Sequence, residues 1–186
     1  IQRGSDSYFR LELDDLVTSP KVQNMLRRAS RELSVETGKG WSTEHRALVS
    51  AFLASHAVSE ETQYIFNRLP DYLATSETAL LLSAHNHQGR IAAFDVADFG
   101  SKDYAFYMFN FTSREHYVAG ASDLLLHQLI TIAREKGKRF VNLGLAINKG
   151  ITFFKQKWGG IPFLNLEFVL YETSRMSIIQ SLFEKL

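Results

Sequence analysis

Ala121-Ser-Asp-Leu-Leu-Leu-His-Gln-Leu-Ile-Thr-Ile-Ala-Arg-Glu-Lys-Gly137-Lys-Arg-Phe140-Val-Asn-Leu-Gly-Leu-Ala-Ile147 is the stretch on which the fold turns. In its first part Leu125, Leu129 and Ile132, with Leu126, Ile130 and Ala133, recur at helical spacing and form a broad face made for burial. Arg134 and Lys136 sit where a helix dipole favours cations, and Gly137 supplies the stop. The second part alternates. Val141, Leu143, Leu145 and Ile147 point one way as aliphatic core; Asn142, Gly144 and Ala146 point the other, a small and partly polar wall that a ligand can approach closely. A helix carrying the chain from one strand to the next makes that pair locally parallel.

Upstream, Thr78–His85, Arg90–Phe99 and Tyr104–Thr112 read as three strands of an antiparallel meander, the first two joined by the turn Asn86-His-Gln-Gly89. His85 and His87 fit solvated turn positions. Tyr8–Leu13 alternates as a short strand, and Ser34–Glu36 forms another that runs into Gly38 and Gly40. Ser19-Pro20 opens a helix with Val22, Leu26, Ala29 and Leu33 on one face. Its Lys21, Arg27, Arg28 and Arg31 form either a solvated face or a grip on a phosphate-bearing substrate. Ser42 and Ser59 open helices expected to reach about Ala57 and Leu69. Downstream, a short helix runs from Asn148 to Trp158 and ends at Gly159-Gly160. A strand from Pro162 to Tyr171 carries Leu164, Leu166, Phe168 and Leu170 as its expected core face, and Ser174 opens a closing amphipathic helix. The expected architecture is α/β (α+β), a mixed, mostly antiparallel sheet with helices on both faces.

The 186 residues suit one domain spanning 1–186. The opening residue is Ile1 and not Met, which leaves room for an upstream domain. A net charge of +1 gives no overall field to recruit nucleic acid or anionic membrane. The absence of cysteine removes disulfides, thiol catalysis and Cys-based zinc sites, and the six histidines include no helical ligand pair, so no metal is expected. There is neither a signal peptide nor an apolar run near the roughly 20 residues of a membrane helix, so a cytoplasmic location is expected.

The order of elements resembles the GNAT superfamily of N-acyltransferases, and the residues that carry the likeness lie between Phe111 and Gly160. In that superfamily the fourth strand leads into a loop of the form Q/R-x-x-G-x-G/A, which opens the main helix and cradles the pyrophosphate of the acyl carrier. The matching stretch is Tyr117-Val-Ala-Gly120-Ala-Ser122, with Tyr117 where Gln or Arg is usual. Asn148-Lys-Gly-Ile-Thr-Phe-Phe-Lys-Gln-Lys-Trp-Gly-Gly160 resembles the superfamily's N-x-x-A-x-x-x-Y-x-x-x-G-F segment, with Lys155 at the position of the Tyr that commonly protonates the departing thiolate. The F-K-x-K-W-G-G ending, Asn24-Met-Leu-Arg-Arg-Ala29 and Gly120-Ala-Ser-Asp-Leu124 resemble the branch of the Fem-type aminoacyltransferases and the lysylphosphatidylglycerol synthetase C-terminal domain.

The resemblance implies transfer of an acyl group to an amine. The donor is acyl-CoA (acetyl-CoA) or, alternatively, an aminoacyl-tRNA; the charge balance favours CoA. A third reading is a non-catalytic GNAT-fold binding module. A small-molecule or peptide amine is the expected acceptor, and tRNA and a homodimer partner stay open. Ala119, Gly120, Ala121 and Ser122 are expected to hold the carrier, since a glycine turn at a helix N-terminus suits any anion. Asn142 and Asn148 are expected to orient it. Asp123, in the same helical turn, would repel a diphosphate. Lys155 is the expected group at the oxyanion or leaving atom, and Glu167 and Asp95 are competing general bases. The prediction that joins all of these is geometric: the turn at Gly120 and the segment 148–160 meet in one cleft between two diverging strands.

Overall fold

The computed structural model describes residues 2–170; the helix expected from Ser174 lies outside them. Seven strands and six helices follow in chain order: β1 (Gln2–Glu12), α1 (Pro20–Glu32), β2 (Leu33–Gly38), α2 (Thr43–Ser55), α3 (Glu60–Asn67), α4 (Leu69–Thr75), β3 (Ala79–Asn86), β4 (Ile91–Asp98), β5 (Tyr104–Thr112), α5 (Ala121–Glu135), β6 (Phe140–Leu145), α6 (Lys149–Lys157) and β7 (Ile161–Leu170). The helix starts obey their caps. Ser19, Ser42 and Ser59 each accept a backbone N–H three residues on, from Val22, His45 and Thr62. The helix expected from Ser59 to Leu69 is instead two, meeting at Arg68: Pro70 has no N–H to donate and is tolerated in the first turn of a new helix, not inside an old one.

The strands form one sheet in the order β2-β3-β4-β5-β6-β1-β7. β2 to β5 are antiparallel neighbours, β5 and β6 are parallel, and β1 runs antiparallel to both β6 and β7. Helices α1 and α5 cover one face, where Val22, Ala29, Leu125, Leu126 and Leu129 pack on Leu11, Leu82, Ala105 and Val141. Helices α2 and α4 cover the other, where Leu48, Val49, Leu69 and Leu73 pack on Leu81, Phe94, Val96 and Phe111. Truncating one of these fully buried leucines to alanine would cost about 2–5 kcal/mol.

Two expectations about the late strands are corrected. The expected core face of β7 is not core where its side chains are described: Leu164 and Phe168 are 55% and 42% exposed. Among the described residues β7 is the outermost strand, joined to the sheet through β1 alone. The alternation expected from Phe140 to Ile147 also breaks. Phe9 faces Gly144 while Arg10 faces Asn142, so Leu143 is an extra residue in β6, and a bulge of this kind resets which way later side chains point. Gly144 takes φ 76°, β6 ends at Leu145, and Ile147 is 72% exposed with φ 57°.

Candidate active site

The parallel strands β5 and β6 are paired only at their beginnings, Tyr104 with Phe140, Ala105 with Val141 and Phe106 with Asn142. β5 then continues to Thr112 and β6 to Leu145 without pairing, which opens a fork. Both sides of the fork carry the cause. On β5, Val96 of β4 faces Phe109 and Ala97 faces Tyr107, so Met108 is a bulged residue with no partner on β4. On β6 the bulge is Leu143. Extra residues at the same level bend the two strands apart and leave backbone polar groups unpaired at the branch point.

The N-terminus of α5 and helix α6 meet at this fork. Gly120 caps α5 in the left-handed region, φ 86°, and its Cα is backed by α1: an added Cβ would stand 3.0 Å from Met25 Cγ and 3.2 Å from Ala29 Cβ. In front of the turn is a cleft of about 200 Å³ bordered by Thr112, Gly120, Ala121, Ser122, Asp123 and Phe154. Ala119 is exposed just before it. Asp123, the residue expected to repel a donor phosphate, is turned inward at 6% exposure. Its Oδ1 accepts the indole N–H of Trp158 at 2.8 Å and pairs with the Lys157 ammonium at 2.5 Å. Its charge is therefore met locally, and the bonds tie the start of α5 to the end of α6.

Behind Ser122 runs a buried polar chain. The Ser122 hydroxyl donates to Asn110 Oδ1 at 3.0 Å, and Asn110 Nδ2 donates to Asp95 Oδ1 at 2.6 Å. Asp95 has no exposed surface and its Oδ2 has no partner; burial raises its carboxyl well above the usual range, only partly offset by Asn110. Enclosed on all sides, the carboxyl has no path to an incoming amine. Its place is structural, at the root of the chain that orients Ser122.

Lys155 is 3% exposed, and its ammonium donates to Leu145 O at the tip of β6, beside Phe9. Burial lowers its pKa from 10.5 to about 8, with Asp6 opposing. Asp6 on β1 accepts from the backbone N–H groups of Ser7, Ala146 and Ile147. Burial opposes its ionisation, but those N–H groups and the Lys155 charge outweigh it and hold the carboxyl low. Asn142 and Asn148 are both committed to local backbone: Asn142 accepts from Gly144 N at 2.8 Å and steadies the bulge, and Asn148 caps α6 by accepting from Ile151 N at 2.9 Å. Glu167 is exposed on β7, opposite Ser5, in a shallow cleft it shares with Asp6, Ser7 and Phe9, apart from the α5 turn.

The structure thus brings Gly120, Ala121 and Ser122 to the fork, places Lys155 along its β6 side and leaves Glu167 outside it. The sequence reading passed over Met108, Asn110, Asp6 and Tyr107. Met108 and Asn110 sit in a strand whose alternation changes phase after Tyr107, and that change was the available signal. Asp6 had none, since the partners that bring it to β6, Ala146 and Ile147, are 140 and 141 residues away in sequence. A second cleft of about 490 Å³ lies on the opposite face, between α2 and the end of β5, bordered by Glu44, Phe52, Arg90, Asn110, Thr112 and His116. Thr112 borders both clefts, and Asn110, which borders this one, accepts from Ser122 of the other. Among the described residues no group of three or more His, Asp or Glu is gathered as a metal site.

No protein-family model matches the sequence, and no curated protein matches it either. Solved structures do. The L-PGS of Bacillus licheniformis superposes with a TM-score of 0.65 at 17% identity, over 97% of this chain and 65% of that one. FemX gives 0.65 at 11% identity, over 94% and 63%. A tandem GNAT protein from the clavulanic acid biosynthesis pathway gives 0.56 at 16% identity, over 92% and 56%. The chain spans less than two thirds of the length of each. At these identities the likeness establishes the fold, which is the GNAT fold.

Proposed function

We propose that the protein is an N-acyltransferase that moves an acyl group from a carrier, acyl-CoA by preference, to an amine. The observation that carries this reading is the fork: two parallel strands part at paired bulges directly beside a left-handed glycine at a helix N-terminus. A helix start with converging N–H groups suits a phosphate. A bulged strand offers a backbone N–H, at Met108, to the oxygen of a carbonyl lying in the fork, where a donor aimed at developing negative charge acts best. Aligning the carbonyl and the amine supplies much of the remaining rate. The inward Asp123 supports a diphosphate-bearing donor, because the Lys157 pair removes its repulsion.

Lys155 is proposed to hold the tip of β6 through Leu145 O and to place positive charge along the fork. The cleft on the α2 face is proposed to admit the acceptor, a small-molecule or peptide amine, from the side away from the carrier. The reading with aminoacyl-tRNA as donor calls for a basic stripe joining Arg27, Arg28 and Arg31 to Lys149, Lys155 and Lys157. Burial of Lys155 and the pairing of Lys157 interrupt that stripe, which favours CoA. Among the described residues no helix is long and apolar enough to cross a membrane; we place the activity in the cytoplasm.

Thermal melting with CoA, acetyl-CoA and a charged-tRNA mixture tests the assignment. A rise in Tm with CoA and acetyl-CoA, absent in the Gly120→Val protein, is expected. A salt-sensitive response to tRNA alone would move the donor to the aminoacyl class, and silence from all three would leave a binding module without a carrier.

A further inference from the structure

We propose that Tyr117 is the platform on which the nucleobase of the acyl donor stacks. The inference rests on the transferase reading and deepens it by naming the donor class, a thioester whose carrier ends in a nucleotide. Tyr117 lies between β5 and α5, borders the cleft of about 200 Å³ in front of Gly120, and is 68% exposed. The backbone on either side of it is held. His116 N–H donates to Ser113 Oγ at 2.9 Å, and Ser113 N–H donates to Ala92 O at 2.8 Å. On the other side the Val118 side chain packs on the core, and Val118 O accepts from Ala121 N at 3.2 Å. The ring is thus presented at the rim of the cleft from a fixed stretch of chain.

Two aromatic rings border this cleft, and only one of them is free. Phe154 lies nearly parallel to the Tyr107 ring, at 24° and 6.4 Å between centroids, and has the Lys157 ammonium 4.9 Å from its own centroid. Among the described residues the Tyr117 ring stacks on no other ring and meets no cation. Where the superfamily's loop usually has Gln or Arg, Tyr117 brings no charge to a phosphate and no amide. What it brings is a flat apolar face, which any base can stack on. The order of groups also fits. Thr112, which borders the same cleft as Tyr117, is four residues beyond Met108 along β5, about 13 Å of extended strand. In CoA the thioester and the adenine stand at opposite ends with the diphosphate between them, which matches Met108, the start of α5 and Tyr117 in turn. In an aminoacyl-tRNA the terminal adenosine itself carries the acyl group, which puts that base beside the carbonyl at Met108 and away from Tyr117.

Transfer to a simple primary amine is measured with two donors: acetyl-CoA, and acetyl-phosphopantetheine, which keeps the thioester, the arm and a phosphate but has no base. Wild type is compared with Tyr117→Ala, Tyr117→Leu and Tyr117→Trp. With acetyl-CoA, Tyr117→Ala is expected to raise KM about tenfold, and calorimetry should show the Kd for CoA rising by the same factor. The loss should fall in KM and not in kcat, because the ring is remote from the carbonyl. Tyr117→Trp should restore KM to within about twofold of wild type, whereas Tyr117→Leu, bulky but without a π face, should stay near the alanine value. With the base-free donor, kcat/KM of Tyr117→Ala and wild type should agree within about twofold. Equal losses with both donors, or full rescue by leucine, mean that the side chain only shapes the cleft and overturn the proposal, as does an unchanged KM for acetyl-CoA in Tyr117→Ala. In each of those cases transfer itself persists. A wild type that transfers from neither donor overturns the transferase reading, and the role of Tyr117 falls with it.

Discussion

Asp123→Ala is the substitution that tests most directly how the fork is held. The wild-type carboxylate takes a charged partner, Lys157, whose side chain is 15% exposed, and a neutral one, the indole of Trp158, which is 2% exposed. Removing it leaves a buried indole N–H without an acceptor, at about 1–3 kcal/mol, and a largely enclosed ammonium without a counterion. Breaking a fully buried pair costs about 3–5 kcal/mol; partial exposure of Lys157 puts the expected total near 3 kcal/mol. For a chain of this size that is a fall in Tm of roughly 6–12 °C. Asp123→Asn keeps an oxygen for the indole and loses only the charge, so it should melt between the two. Calorimetry on Asp123→Ala, Lys157→Met and the double variant completes a cycle, with a coupling of at least about 1 kcal/mol expected. If Asp123→Ala melts within about 2 °C of wild type, or the two changes simply add, the clamp between α5 and α6 is not what the distances indicate. The donor KM gives a second reading: Lys157→Met bares a carboxylate in the first turn of α5 and should raise the KM for acetyl-CoA.

His45, 4% exposed between Ser42 and Ser83, has its pKa lowered to about 4 by burial, with His85 adding to the effect. Between pH 6.5 and 4 the unfolded chain binds a proton that the folded one does not, so this contribution is fully present above pH 6.5 and is lost on acidification, by roughly 3 kcal/mol in all. Urea titrations at pH 7 and pH 5 should show about 2 kcal/mol of that loss, and His45→Phe should flatten it. Lys155→Met preserves the buried stem and removes the ammonium; turnover is expected to fall at least about tenfold, and the wild-type decline above about pH 8 should vanish in the variant. Gly120→Ala forces a Cβ into the left-handed region and against Met25, and should lower stability by about 1–3 kcal/mol while weakening CoA-dependent stabilisation.

Helix and strand placement followed from local chemistry wherever one partner face decided it. The apolar stripe of α5, the serine caps and the three meander strands all express short-range rules, and the structure agrees with them to within a few residues. The turn at Gly120 and the segment at Lys155 could be placed together because of the resemblance to the GNAT superfamily; the helical crossover by itself gave only the parallel strand pair. Three kinds of feature stayed out of reach. Pro70 reads as compatible with a helix start and with a helix interruption until the neighbouring turns are seen. The bulge at Leu143 depends on a partner strand, and its own strand, which alternates without a break, does not announce it. The side chains Asp95, Asn142, Asn148 and Asp123 are of types suited to catalysis or capping alike, and only their distances show that backbone and buried neighbours have claimed them.

β1 lies between β6 and β7, so it finds its place only after chain made well after it has appeared. Its register partners Phe140 to Leu145 and Ile161 to Leu170 emerge from the ribosome roughly ten seconds later at ordinary synthesis rates. Until then the fork cannot be completed, because Asp6 grips the backbone at Ala146 and Ile147. Insertion of that early segment is a long-range closure of the slow kind. The β6 arm of the fork is thus secured only when residues made well before it return to it.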